Sequence, residues 1–157
     1  MASPPLLVSA CLVGFRCRYD GTCKADPRVL RVLKERAWIA VCPEQRAGFP
    51  TPRDPIYFFG GTGKEVLKGK ARIVQAGGGD VTEPLLQASR SLLEMVRAYG
   101  VREGILKEKS PSCGVSKTYL GDKLVTGMGL IAAMLVVEGI TITSEKTVKT
   151  EEVGRDR

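Results

Sequence analysis

The sequence predicts one α/β domain built on a mainly parallel sheet of about four strands, with short hairpins as excursions from it. Three observations carry this expectation. Short continuous apolar runs, of the kind buried on both faces of a parallel sheet, alternate with helical stripes. Residues 6–41 hold an apolar run, a capped helix and a second apolar run, the strand–helix–strand unit whose strands are parallel and whose crossover is right-handed. Three cysteines stand just past the ends of apolar runs, where an open α/β sheet forms its ligand crevice.

Taken in order, Leu6 to Ser9 is the first strand, and Cys11 to Cys23, with Gly14 and Cys17-Arg18-Tyr19-Asp20-Gly21, is a loop on its turn residues. Asp26 followed by Pro27 is an N-cap and first helical position, and Val29, Leu30, Val32 and Leu33 give a stripe, so a helix is expected over residues 27–36. Trp38 to Val41 is the second strand. The segment from Cys42 to Arg53 is expected to be loop, its three prolines, Pro43, Pro50 and Pro52, forbidding helix and favouring a stiff extended path. Ile56 to Phe59, Glu65 to Leu67 and Ala71 to Val74 are expected as short strands joined by glycine-rich turns. Thr82 is the candidate N-cap of the longest helix, whose stripe from Leu85 to Val96 runs on to about Tyr99 before Gly100 stops it. Gly104 to Lys107 is a strand leading into Ser110-Pro111-Ser112-Cys113-Gly114, and Tyr119 to Val125 is a hairpin about Gly121-Asp122. Met128 to Glu138 is an apolar helix, Ile140 to Thr143 a last strand, and the chain from about Glu145 is charged and unpatterned. The expected organisation is an extension over residues 1–5, the domain over 6–145 and a frayed tail over 146–157.

A chain of 157 residues is long enough for one core and short for two. Its apolar runs fall far short of the roughly 20 residues that span a bilayer, and Met1 to Pro5 lacks the basic and apolar regions of a secretion signal, so a cytoplasmic protein is expected. In that reducing setting five cysteines are metal ligands, nucleophiles or buried fillers rather than disulfide partners. There is no histidine, which excludes Cys-His and Ser-His catalysis and mixed Cys/His zinc sites. The net charge of +7 is scattered along the chain: it attracts anions such as nucleotides or RNA, or is simply a solvated basic surface.

Cys11, Cys42 and Cys113 lack the close Cys-x-x-Cys pairs of zinc ribbons and ferredoxins, and their shared place after strands is the argument for convergence. Three converging thiolates suit an iron–sulfur cluster with one open iron or a zinc site with an open position; the bland alternative is that Cys11 and Cys42 are small buried hydrophobes. Cys17 and Cys23 flank a turn as extra ligands, a redox pair or, on the reading preferred here, bystanders. Glu44, two residues after Cys42, is either a proton carrier beside a metal or a solvated loop glutamate. Ser110 and Ser112 are of the type that caps its own turn. Gly60-Gly61-Thr62-Gly63-Lys64 is not a phosphate loop, since that motif needs glycine where Phe58 stands and Ser or Thr where Glu65 stands. Gly77-Gly78-Gly79-Asp80 before a helix start is an anion cradle or a plain turn, with the turn preferred.

Together, Val8-Ser9-Ala10-Cys11-Leu12-Val13-Gly14, Cys17-Arg18-Tyr19-Asp20-Gly21, Cys42-Pro43-Glu44, Pro52-Arg53, Gly79-Asp80-Val81-Thr82 and Ser110-Pro111-Ser112-Cys113-Gly114 resemble the thiouracil desulfidase family, over about residues 6–145. The resemblance implies a Rossmann-like fold carrying a 4Fe-4S cluster held by Cys11, Cys42 and Cys113, with one iron open to bind substrate sulfur. It implies Glu44 and Ser110 as the catalytic pair in a non-redox hydrolysis of 2- or 4-thiouracil or its nucleoside, with thiolated RNA as a further substrate class. Val13 stands where the family usually has Leu, and Gly48-Phe49-Pro50 where it usually has Gly-Leu-Pro, departures that bear on the preferred substrate. Two other functions use the same thiols: a non-catalytic carrier of sulfur or of a cluster, and a zinc-stabilised RNA-binding protein.

Overall fold

The computed structural model describes residues 3–149. β1 (Leu6–Ser9) pairs in parallel with β2 (Trp38–Val41), register Leu6 to Trp38 through Ser9 to Val41, and on its other side with β5 (Glu103–Leu106), where Leu7 faces Gly104. β8 (Thr141–Ser144) adds to β5 in parallel, giving the order β2-β1-β5-β8. Leu6, Leu7 and Val8 are 2% exposed or less, as a central strand covered on both faces requires. Alternation assigns the faces. Leu6 and Val8 pack with Val29 and Leu33 of α1 (Pro27–Leu33), whereas Leu7 packs with Leu92 and Val96 of α4 (Thr82–Ala98) and with Ile131 and Leu135 of α5 (Leu130–Val137). α5 is buried around most of its girth from Leu130 to Leu135, which explains its lack of a polar face.

The expected hairpins do not hang from this sheet. β3 (Ile56–Phe59) with β4 (Arg72–Gln75), and β6 (Lys117–Leu120) with β7 (Lys123–Thr126), are antiparallel pairs that join in parallel through Phe58 and Leu120 into a second sheet, β4-β3-β6-β7. Its core of Ile56, Phe58 and Ile73 is closed by Leu85 and Leu86 of α4 and Leu130 of α5, so these two helices serve both sheets.

Several local expectations are corrected. Glu65 to Leu67 is not a strand but the end of α3 (Gly63–Leu67), nucleated by a capping box in which the Glu65 carboxylate accepts from Thr62 N at 2.8 Å. The loop after Cys42 begins with one helical turn, α2 (Pro43–Arg46), because Pro43 falls at the first helical position, where its missing N–H costs nothing. α1 stops at Leu33 rather than Arg36, whose guanidinium instead bonds Pro4 O and Glu103. Asp26 caps α1 as expected, accepting from Arg28 N at 2.9 Å. Thr82 is not the N-cap of α4: Val81 is, and the Thr82 hydroxyl takes Ile73 N at 2.8 Å. Asp80 accepts Thr82 N at 2.8 Å, so its own carboxylate occupies the place an anion would take. Glu145, at the end of the expected domain, is 4% exposed and pairs with Lys107; of the expected tail, residues 150–157 lie outside the described residues. No helix among the described residues is long and apolar enough to cross a membrane.

Candidate active site

In the sheet order, chain connections run from β1 to one side and return on the other, so the topology reverses between β1 and β5 and opens a crevice at their carboxyl ends. Ser9, the last residue of β1, accepts Lys107 N at 2.9 Å there, tying the two diverging strands. The crevice is a cavity of about 740 Å³, within the range of roughly 300–1,000 Å³ typical of small-molecule sites.

Cys11, Cys42 and Cys113 all line it, as expected. Cys11 follows β1 in a 3-10 turn (Ala10–Val13), Cys42 caps α2 directly after β2, and Cys113 lies in the loop after β5. Cys17, expected to stand aside, lines the same cavity at 3% exposure, whereas Cys23 does not line it. Cys42 Sγ donates to Cys17 O at 3.8 Å. Cys11, with burial, pushes Cys17 up to about 11. Cys17 and then burial raise Cys42 beyond the ordinary thiol range. Burial first pushes Cys113 up to about 12.

The loop carrying Cys113 is fixed from both ends. Glu108, 6% exposed, accepts Val115 N at 2.8 Å, Ser116 N at 2.9 Å and Lys117 N at 3.0 Å on Oε1, and the Ser116 hydroxyl at 2.9 Å on Oε2. Those bonds hold its carboxyl below the usual range against a burial effect that is the largest single influence and acts upward. The N–H groups of Gly129, Leu130 and Ile131, at the start of α5, donate to the carbonyls of Gly114, Pro111 and Ser112 at 2.8, 2.8 and 2.9 Å. A Cβ on Gly129 would lie 2.6 Å from Ser112 C and 2.7 Å from Cys113 N, both backbone. Gly129→Ala is therefore expected to cost about 1–3 kcal/mol as an overpacking substitution, measured by chemical unfolding, and to displace the Cys113 turn.

Glu44 is not solvated. At 9% exposure its Oε1 accepts Arg53 Nε at 2.9 Å and its Oε2 accepts the Ser112 hydroxyl at 3.2 Å. Arg53, whose side chain is 2% exposed, also donates to Cys17 O at 2.8 Å and Thr51 Oγ1 at 2.9 Å, so the stiff proline segment delivers a cation that locks both Glu44 and the Cys17 loop. Ser110 is half-buried on the cavity wall, accepts Ser112 N and Cys113 N at 3.2 and 3.1 Å, and lies 3.0 Å from Ser112 Oγ. The structure brings Glu44 and Ser110 to the same cavity, and adds two groups that sequence reasoning did not connect to Glu44, Arg53 and Ser112. The signals were present in Pro52-Arg53 and in the second serine of the turn.

The donor set fits a multinuclear iron–sulfur cluster. It is soft and free of histidine, with four thiols on one cavity, three of them buried and Cys42 partly so.

Comparison with known proteins agrees in one direction. The family model described as 2-thiouracil desulfurase matches residues 6–147. Uncharacterized protein YbbK of Bacillus subtilis (strain 168) is 41% identical over 143 residues, covering 89% of this chain and 95% of that protein. The solved structure of the 4Fe-4S-dependent thiouracil desulfidase TudS (DUF523Vcz) superimposes with a TM-score of 0.81 at 33% identity, covering 98% of this chain and 99% of that one.

Proposed function

The chain belongs to the 2-thiouracil desulfurase family, and from that premise we propose that it hydrolyses a thiolated pyrimidine to the oxo base with a 4Fe-4S cluster held by Cys11, Cys42 and Cys113. The observation that carries this reading is the placement of those three thiols on the same cavity wall as Glu44 and Ser110. Bound there, the cluster supplies a thiophilic Lewis acid that draws electron density from a thiocarbonyl carbon.

The rest is done by side chains of the chain itself. Tyr19, Tyr57 and Tyr119 line the cavity and offer flat faces to a pyrimidine ring. The Glu44 carboxylate, aimed by Arg53 and Ser112, takes a proton from the attacking water. Ser110, half-buried on the cavity wall and held by the N–H groups of Ser112 and Cys113, is placed to hydrogen-bond the substrate. No electron is gained or lost in replacing C=S by C=O with water.

The test is anaerobic reconstitution followed by metal analysis and turnover. About four irons and four sulfides per chain, with catalytic release of uracil and sulfide from 2-thiouracil or 4-thiouracil, is the expected result. A loaded protein that releases no uracil is a carrier, and a chain that takes up no iron overturns the cluster assignment.

A further inference from the structure

Of the second sheet, the core uses one face. Along β3, Ile56 and Phe58 turn inward to Leu85, Leu86 and Leu130, so strand alternation puts Tyr57 and Phe59 on the opposite face. The parallel register of Phe58 with Leu120 then sets Tyr57 beside Tyr119 of β6, at the strand spacing of about 4.8 Å. Phe59 follows Tyr57 by two residues, about 6.6 Å along the strand. It pairs with Arg72 of β4, whose guanidinium lies over the ring with Cζ 4.7 Å from the centroid, yet Phe59 stays 55% exposed. Lys117, two residues before Tyr119, shares this outer face. The four strands contain no acidic residue. Tyr57 and Tyr119 line the catalytic cavity and Phe59 does not, so the aromatic row runs out of the crevice onto open surface.

Resting on the desulfidase reading for what enters the crevice, we propose that the outer face of the second sheet docks single-stranded nucleic acid. The thiolated base lies in the crevice beside Tyr57 and Tyr119, the neighbouring base stacks on Phe59, and Arg72 and Lys117 hold the phosphates between them. Flat rings in a row on a sheet, flanked by cations, suit unstacked bases on a charged strand. A duplex is a poor occupant, because its bases already stack on one another. A second copy of the chain is also a poor one: a two-fold contact would bring this face against itself and set cations against cations.

The test is fluorescence anisotropy of the cluster-loaded full chain with a labelled oligouridylate RNA of about six nucleotides, a length within the range of single-strand sites. Binding is expected to be tighter than to a duplex of the same length. Phe59→Ala is expected to weaken it about 10-fold by removing one stacking plane, and Phe59→Tyr, which keeps the ring, to restore it. Arg72→Ala is expected to weaken it and to reduce the slope of log affinity against log salt by about 1. Each variant is compared with wild type at equal iron content and equal unfolding midpoint. Unchanged affinity in Phe59→Ala, or equal affinity for the duplex, overturns the proposal, as does a dimer in sedimentation that Phe59→Ala dissolves. A loaded protein that desulfurises free thiouracil and leaves the oligonucleotide unbound overturns the docking surface alone. One that binds the oligonucleotide and releases no uracil from thiouracil overturns the desulfidase reading alone.

Discussion

Glu44→Gln and Cys113→Ala are expected to cut turnover severely for opposite reasons. Glutamine keeps a carbonyl oxygen for Arg53 Nε and an amide within reach of Ser112, so the buried guanidinium stays paired and the fold is preserved. What it loses is a group able to take a proton. Iron and sulfide content are therefore expected at the wild-type level with kcat lower by about 10²–10⁴-fold, the usual worth of a general base. Glu44→Ala is a poorer probe, because it strands the Arg53 charge, whose side chain is 2% exposed, at a cost of about 3–5 kcal/mol. Cys113→Ala inverts the pattern. Burial keeps the Cys113 thiol neutral in the metal-free protein, where it is a small apolar filler, so alanine costs the fold only about 1 kcal/mol. A metal ligand must be a thiolate, and without it stable cluster uptake is expected to fail, with activity falling below detection. Metal analysis beside steady-state kinetics separates the two; a Cys113→Ala protein with full iron content and activity would remove that residue from the ligand set.

What the sequence revealed followed the range of the interactions. β1 and the start of α1 were legible because their causes are local: a continuous apolar run in Leu6-Leu7-Val8, and Asp26-Pro27. That Cys11, Cys42 and Cys113 would line one crevice was legible because strand ends of a parallel sheet share one edge. The second sheet was not, since its parallel join rests on Phe58 meeting Leu120, which no hydrophobic alternation encodes. The Glu65 to Leu67 error had a readable remedy in the Thr62-x-x-Glu65 spacing of a capping box. Glu44 with Ser112, 68 positions apart, and Lys107 with Glu145 are long-range polar pairs. In the sequence such residues are indistinguishable from solvated surface charge. Glu145, in a charged and unpatterned stretch, gave no sign that it accepts Glu108 N at 2.8 Å.

Glu108→Ala is expected to be the most destabilising polar substitution outside the cavity chemistry. Its carboxylate closes the loop from Lys109 to Lys117 by taking three backbone N–H groups and one hydroxyl, and its own N–H is held by the buried Glu145. Alanine leaves those donors without an acceptor at the base of the turn that presents Ser110, Ser112 and Cys113. Several unsatisfied donors and a vanished buried charge together cost about 3–5 kcal/mol, measured by denaturant unfolding of the metal-free protein. Glu108→Gln keeps a carbonyl for the same N–H groups and is expected to lose much less. Acid separates charge from shape. The folded Glu108 carboxyl titrates below its ordinary value of 4.5, so its contribution is complete above that pH and disappears as pH falls through the folded value. Below pH 4.5 wild type is expected to lose stability more steeply than Glu108→Gln, whose amide does not titrate. Parallel curves would show that the loop is held by hydrogen-bond geometry alone, with no part played by the carboxylate charge.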